Sequence, residues 1–222
     1  TKLREIINIL KKMVKKYSNV AMLSHTHGQP ASPTTMGKEL LVFQTRLIKL
    51  RNQLLKIDIE CKMNGATGNY SAHNICFSNI NWQSFTARFI KKLNLKQNKV
   101  TTQIENHDHI ASIAMIMQHI NSVLIGLCQD IWTYISKNYY IQKNIKSEIG
   151  SSTMPHKINP INFENAEGNF GLANAILNLL SSKLIISRMQ RDLSDSTVLR
   201  NIGISFGYTI VAYENLIKGL NK

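Results

Sequence analysis

From Ile110 to Tyr139 the chain carries no proline, and Ile110, Ile113, Ala114, Met117, Ile120, Leu124, Leu127, Ile131 and Ile135 recur at steps of three and four. That spacing is the period of an α-helix with one apolar face, so it predicts a long helix whose stripe must be covered. Four further segments repeat the pattern. Apolar residues fall at Leu3, Ile6, Ile7, Leu10, Met13, Val14 and Tyr17, and again at Met36, Leu40, Phe43, Leu47, Leu50, Leu54 and Ile57. They return at Ala166, Phe170, Ala173, Leu177, Leu180 and Leu184, and at Leu199, Phe206, Ile210, Tyr213 and Ile217. About five main helices joined by loops predict an all-α long-helix bundle. A shorter helix is expected over Trp82 to Asn94, with Phe85, Phe89, Ile90 and Leu93 inward. In the last two long segments apolar residues reach more than one face, and Gly168, Gly171, Gly203 and Gly207 permit close approach. Helices of that kind are buried by partner subunits as well as by their own chain.

A length of 222 residues with 43% hydrophobic content supports one sizeable core, and we expect a single central helical domain over 1–222. The helical pattern is already running at Leu3 and still running at Leu220, which reads as a piece of a longer protein. Cys61, Cys76 and Cys128 are odd in number and lack metal-ligand spacing, so they fit a reducing compartment, with neither a disulfide scaffold nor a structural metal. Thr1 to Lys16 lacks the layout of a signal peptide. Val198 to Ile217 contains Arg200, Asn201, Glu214 and Asn215, so it is a poor membrane span. The formal charge of +14 fits nucleic acid or a small polyanion. The lysine pairs Lys11-Lys12, Lys15-Lys16 and Lys91-Lys92 read equally well as compositional bias on solvated faces, and with no interleaving of aromatic and basic residues and no reader motif a nucleic-acid role is disfavoured.

The loops hold the chemistry. Gly150 to Asn169 reads GSSTMPHKINPINFENAEGN, in which Gly150 lets the backbone turn while Pro155 and Pro160 stop helix on either side. Hydroxyls, a cation and backbone donors meet there before a helix restarts after Pro160, an inventory able to hold a carboxylate beside a moving proton. Ala21 to Thr35, AMLSHTHGQPASPTT, reads as a short extended piece, then a loop, then a helix start with Ser32 as N-cap and Pro33 as first helical residue. Asn64 to Asn69 is a tight loop. His107, Asp108 and His109 precede the longest helix, with Asp108 a candidate N-cap; residues 107 and 109 do not share a helix face, which argues against a metal there.

GSSTMPHKINP resembles the signature loop of the fumarase/aspartase superfamily, and INFENAEGN resembles its bacterial adenylosuccinate lyase branch. THGQPA resembles a second signature of the same superfamily. The resemblance covers essentially the whole chain and about the central half of the family's enzyme, so it implies the central helical domain of that fold, contributing to a tetrameric helical bundle. It also implies β-elimination of fumarate from adenylosuccinate to give AMP, and from the succinyl-aminoimidazole-carboxamide ribotide, with no cofactor and no metal. Ser151 would then be the general base and His27 the general acid toward the departing purine nitrogen, with Glu164 pairing with that histidine. Lys157 and Asn159 would grip the carboxylate, while Gln103, Arg191, Ser196 and Arg200, the latter three in an RxxxxSxxxR element, would bind substrate.

Two departures accompany the resemblance. The family's first signature and carboxyl-terminal domain are expected to lie outside this chain, so the piece alone is expected to have little activity. His25 stands where the family often has Arg. The expected setting is the cytoplasm, with a purine nucleotide as partner, active sites shared between subunits of a tetramer, no membrane and no nucleic acid. Three alternatives remain at this point: another lyase of the superfamily (argininosuccinate lyase, fumarase or aspartase type), a catalytically silent helical oligomerisation module, and a basic nucleic-acid binder.

Overall fold

A computed structural model describes residues 1–143 and 158–222. Ser151 and Lys157 lie outside the described residues. In chain order the elements are α1 (Lys2–Lys16), β1 (Ala21–Thr26), β2 (Gln29–Thr35), α2 (Met36–Leu54), β3 (Glu60–Cys61), α3 (Ser71–Cys76) and α4 (Trp82–Lys92). They continue as β4 (Lys96–Gln97), α5 (Asp108–Ser136), α6 (Ile161–Lys183), α7 (Ser194–Leu199) and α8 (Ile202–Leu220). The five long helices match the five periodic segments, except that Leu199, expected in the last of them, is the final residue of α7, and α8 begins at Ile202. The chain divides into two compact units, one of Thr1–Asn52, Gln118–Asn174 and Ile204–Lys222, the other of Gln53–Met117 and Ala175–Gly203.

The first unit is built on apolar stripes. Ile6 and Leu10 of α1, Leu40 and Leu47 of α2, Leu124 and Leu127 of α5, Phe170 of α6 and Leu216 of α8 are all buried. Phe170 meets Tyr213 edge to face at 5.7 Å. Small residues set close approaches where the pattern demands them. A Cβ on Gly37 would stand 2.7 Å from the Ser18 Cα and the Val14 carbonyl, so only glycine lets α2 start against the end of α1. The Gly37 N–H donates to the Tyr17 carbonyl at 2.9 Å across that junction. One buried polar pair, Asn121 Nδ2 to Thr209 Oγ1 at 3.4 Å, links α5 to α8.

The second unit has its own core, in which Ala114 and Met117 of α5 pack with Leu177, Leu180 and Leu184, and Ile113, Val198 and Ile202 close over them. Beside it, Glu60 to Cys61 pairs in parallel with Lys96 to Gln97. The stripes of α5 and α6 thus serve both units. By length and composition α5, with a mean hydropathy of 1.6, could also cross a membrane. Its stripe is instead covered by protein, from Ala111 through Ile131.

Four local expectations are corrected. Ser32 and Pro33 lie in β2, and α2 begins at Met36, where Thr35 Oγ1 accepts the Lys38 N–H at 3.2 Å. Proline is tolerated there because both strands of a two-stranded hairpin are edges. Helix α2 stops at Leu54 rather than Ile57, its end tightening into Lys56 N–H to Gln53 carbonyl and Ile57 N–H to Leu54 carbonyl bonds. Asp108 sits in the first turn of α5, not before it. In α4 only Ile90 of the expected inward set is buried, at 1% exposure, while Phe85, Phe89 and Leu93 remain 39, 43 and 52% exposed. The inward side belongs instead to Ile90 and Thr86, whose hydroxyl donates to the Met63 carbonyl at 3.0 Å. The aromatic rings line up on one another, Trp82 to Phe85 at 5.5 Å and Phe85 stacked on Phe89 at 6.5 Å.

Candidate active site

Strands β1 and β2 form an antiparallel hairpin whose last pair is Thr26 with Gln29, leaving His27 and Gly28 as a two-residue tip. Both have positive φ, 54° and 74°, the signature of a type I′ turn. Glycine adopts that backbone freely, and histidine is one of the few other residues found there. The geometry lifts the His27 imidazole into solvent on an exposed tip. Two contacts steady it from behind. Lys137, just past α5, donates Nζ to the Gly28 carbonyl at 3.2 Å, and Ser24, at the irregularity in β1, donates to the Ser32 carbonyl at 2.7 Å. His25 packs edge-on against Tyr139 at 5.7 Å, with its buried Nδ1 lacking a hydrogen-bond partner among the described residues.

The helix restart after Pro160 is as expected. The Pro160 carbonyl accepts from the Phe163 and Glu164 N–H groups, at 3.0 and 3.4 Å, opening α6 at Ile161. Asn159 lies half-buried just ahead of it. Glu164 is exposed in the first turn, where a carboxylate complements the helix dipole. Its Oε1 accepts from Trp132 Nε1 at 3.0 Å, and one turn on Glu167 accepts from Gln129 at 2.9 Å. Among the described residues, Glu164 and His27 form no ion pair within this chain.

The remaining candidates lie in the second unit. Thr101, Thr102 and Gln103 follow β4, and the loop is fixed from below by Asn64, which is fully buried. Asn64 Nδ2 donates to Thr101 Oγ1 at 3.0 Å, and that hydroxyl lies 3.1 Å from Asn64 Oδ1. Gln103 is left exposed. Beside this loop is a hollow of about 300 Å³ lined by Thr102, Ile104, Asn106, Asp108, Ser187 and Met189 among others. The chain then turns on Asp192, whose carboxylate accepts the Arg188 and Ser194 N–H groups and the Ser194 hydroxyl. The Ser194 hydroxyl and N–H hold its carboxyl below the usual range. That turn delivers Arg191 to Ser196, Nη2 to Oγ at 3.1 Å, so two of the three members of the RxxxxSxxxR element are in contact. Arg200 closes α7, exposed.

Sequence reasoning missed the groups behind these. Asp195 is buried at the start of α7, and its Oδ1 accepts the Ser196 N–H at 2.6 Å. Its Oδ2 lies 3.8 Å from His107 Nε2, while His107 Nδ1 lies 3.6 Å from Glu105 Oε2. Glu105 also stands 3.4 Å from His109 Nδ1, and Glu60, Glu105 and His109 bring potential ligand atoms within 4.8 Å of one another. Glu105 is nevertheless already engaged on both oxygens, by Asn98 Nδ2 at 2.9 Å and the His107 N–H at 2.7 Å, and the Lys96 ammonium is 4.0 Å from Glu60. The group is a hydrogen-bonded hub. A hint lay in the crowding of Glu105, His107 and His109, but Asp195 is 88 positions away from His107 and no local signal joins them.

Comparison with known proteins follows the same map. A family described as "Lyase" matches residues 1–174, and one described as "Adenylosuccinate lyase C-terminal" matches 187–222. Adenylosuccinate lyase of Legionella pneumophila (strain Corby) is 53% identical over 218 residues, covering 98% of this chain and 48% of that protein. The adenylosuccinate lyases of Dictyostelium discoideum and Escherichia coli (strain K12) are 50 and 48% identical, each aligned over 99% of this chain and 48% of their own length. The chain therefore spans about half the length of the curated relatives it matches. In fold it resembles a 3-carboxy-cis,cis-muconate lactonizing enzyme from Pseudomonas putida, with a TM-score of 0.80 at 18% identity over 99% of this chain and 48% of that one. It also resembles a fumarate lyase from Mesorhizobium sp. BNC1, with a TM-score of 0.74 at 15% identity and the same coverage. With most of its length matched by the one family and its terminal stretch by the other, the chain belongs to the lyase family, on the adenylosuccinate lyase branch of the fumarase/lyase superfamily.

Proposed function

We propose that the full-length protein carrying this chain is an adenylosuccinate lyase, a carbon-nitrogen lyase that eliminates fumarate from adenylosuccinate to leave AMP. The same chemistry would act on the succinyl-aminoimidazole-carboxamide ribotide. One observation carries the reading. About half of the residues are identical to adenylosuccinate lyases along 98–99% of the chain.

The reaction removes a proton from a carbon next to a carboxylate, so charge grows on a group already negative. Ser151 would take that proton, an abstraction that needs its alkoxide stabilised by backbone N–H groups and cations. Lys157 and Asn159 would hold the carboxylate as its charge rises. His27, free to reach into a substrate from its tip, would protonate the departing purine nitrogen, and Glu164 would orient a histidine in the assembled enzyme. Gln103, Arg191, Ser196 and Arg200 would bind the nucleotide, the guanidinium groups matching phosphate and carboxylate oxygens. The assembled enzyme is a tetramer with sites shared between subunits, working in the cytoplasm.

The test is fumarate release by the purified full-length protein, offered adenylosuccinate beside argininosuccinate, malate and aspartate. Turnover of adenylosuccinate is expected, falling by about 100-fold or more in Ser151→Ala and in His27→Asn. Asparagine suits the left-handed tip, so the second variant removes the imidazole and keeps the turn. Preference for another substrate of the panel, or unchanged turnover in both variants, would overturn the assignment.

A further inference from the structure

We propose that His107 is a positioning residue that ties the Gln103 loop to the Arg191–Ser196 pair through the buried Asp195, so that two substrate-holding segments are set as one. The proposal rests on the lyase reading above and adds to it a residue that touches no substrate.

The geometry is a continuous line of polar contacts within one compact unit. Arg191 Nη2 donates to Ser196 Oγ at 3.1 Å, and the Ser196 N–H donates to Asp195 Oδ1 at 2.6 Å. Asp195 Oδ2 faces His107 Nε2 at 3.8 Å, and His107 Nδ1 faces Glu105 Oε2 at 3.6 Å. Gln103 is two residues upstream of Glu105 on the same loop. The middle of the line is withdrawn from water, with the side chains of His107, Asp195 and Glu105 only 12, 5 and 13% exposed. At such burial a carboxylate is costly without partners, and among the described residues His107 is the one basic side chain found within 4.0 Å of the Asp195 carboxylate.

The backbone at His107 supports the same role. Its φ of 63° is left-handed, a region uncommon for residues other than glycine although histidine is among those found there. Here the Glu105 carboxylate supports it by accepting the His107 N–H at 2.7 Å, and the His107 carbonyl accepts from Ala111 at the first turn of α5. The imidazole is thereby aimed across at α7. The 3.6 and 3.8 Å separations are longer than hydrogen bonds, so the link is a close polar approach that is lost when either side chain is replaced. The other groups at the hub, Asn98 on Glu105 Oε1 and His109 at 3.4 Å from Glu105 Oε2, hold Glu105 in place.

The experiment uses the full-length protein with His107→Gln, Asp195→Asn and the double variant. Each single change is expected to raise KM for adenylosuccinate about tenfold while kcat stays within about threefold, because binding is loosened and chemistry is not. The double variant is expected to be no worse than the poorer single, since both changes cut one contact. A merely structural role would lower the melting midpoint and the active fraction, leaving the KM of the surviving enzyme where it was. Unchanged KM in His107→Gln, or multiplying losses in the double variant, would overturn the proposal. If His107→Gln does not fold, the near-isosteric Asp195→Asn decides alone on the same KM criterion. Failure of the lyase reading is distinguishable, because the unsubstituted enzyme would then release no fumarate from adenylosuccinate.

Discussion

Gly68 has the least freedom to change of any described glycine. Its φ is 79°, and a Cβ there would stand 2.0 Å from the Thr101 carbonyl oxygen, so both the turn and the loop leading to Gln103 depend on a hydrogen. Gly68→Ala is expected to cost roughly 2–4 kcal/mol and to raise KM as the loop is displaced, measured by urea unfolding and steady-state kinetics. The cysteines offer a cleaner contrast. Burial pushes the Cys128 thiol up to about 12, with the Glu167 charge adding to it, whereas Cys76 is exposed. At pH 8 a thiol reagent is therefore expected to label Cys76 in the native protein and Cys128 only after denaturant is added. Asp192 gives a pH dependence with a definite sign. Its folded carboxyl titrates below its unfolded value, so the stabilisation of the 188–194 turn is present above the unfolded value and fades as pH falls through the carboxylate range. Hydrogen exchange in that turn, corrected for intrinsic rate, is expected to quicken on acidification below about pH 4, and Asp192→Asn is expected to abolish the change.

Helices were the legible part of the fold, because a stripe at three- and four-residue spacing is written locally. Ala166, Phe170, Ala173, Leu177 and Leu180 recur along α6 with Leu184 just past its end, and all six are buried. Leu177→Ala is accordingly expected to cost about 2–5 kcal/mol in chemical denaturation. Where a short element had a polar alternative, the pattern misled. In α4 the Met63 carbonyl draws Thr86 inward, and the phenylalanines that share its helix stay outside. The hairpin was half legible. Its first strand and its loop could be anticipated, but Pro30 and Pro33 hid the second strand, since proline speaks against strands except at edges. Of the candidate site, the motif-bearing residues stood out by resemblance. The groups that hold them, Lys137 behind Gly28 and Asp195 with His107 behind Ser196, come from distant segments, and nothing in their local sequence marks them.

At the scale of the whole molecule, apolar side chains remain on the outer faces of the long helices, among them Leu172 and Leu179 on α6 and Phe206, Ile210 and Val211 on α8. Surface of this kind on otherwise well-packed helices fits burial by further copies of the chain. In the proposed tetramer of the full-length protein, lysines at both Ile210 and Val211 are expected to cause dissociation in sedimentation and to abolish fumarate release with it. Mixing inactive Ser151→Ala and His27→Asn subunits is expected to restore part of the activity if sites are shared, and restoration to background level only would argue for sites within single chains. Helix α5 brings a separate consequence. Within the first unit its stripe runs unbroken from Ile120 to Ile131, so this stretch of helix carries a phase that the core fixes. A single residue inserted after Leu124 would rotate every downstream side chain by about 100°, whereas seven would return it to within about 20° of its heading. Length variation in the middle of this helix is therefore quantised, and a deletion scan across it should tolerate heptads while rejecting single steps.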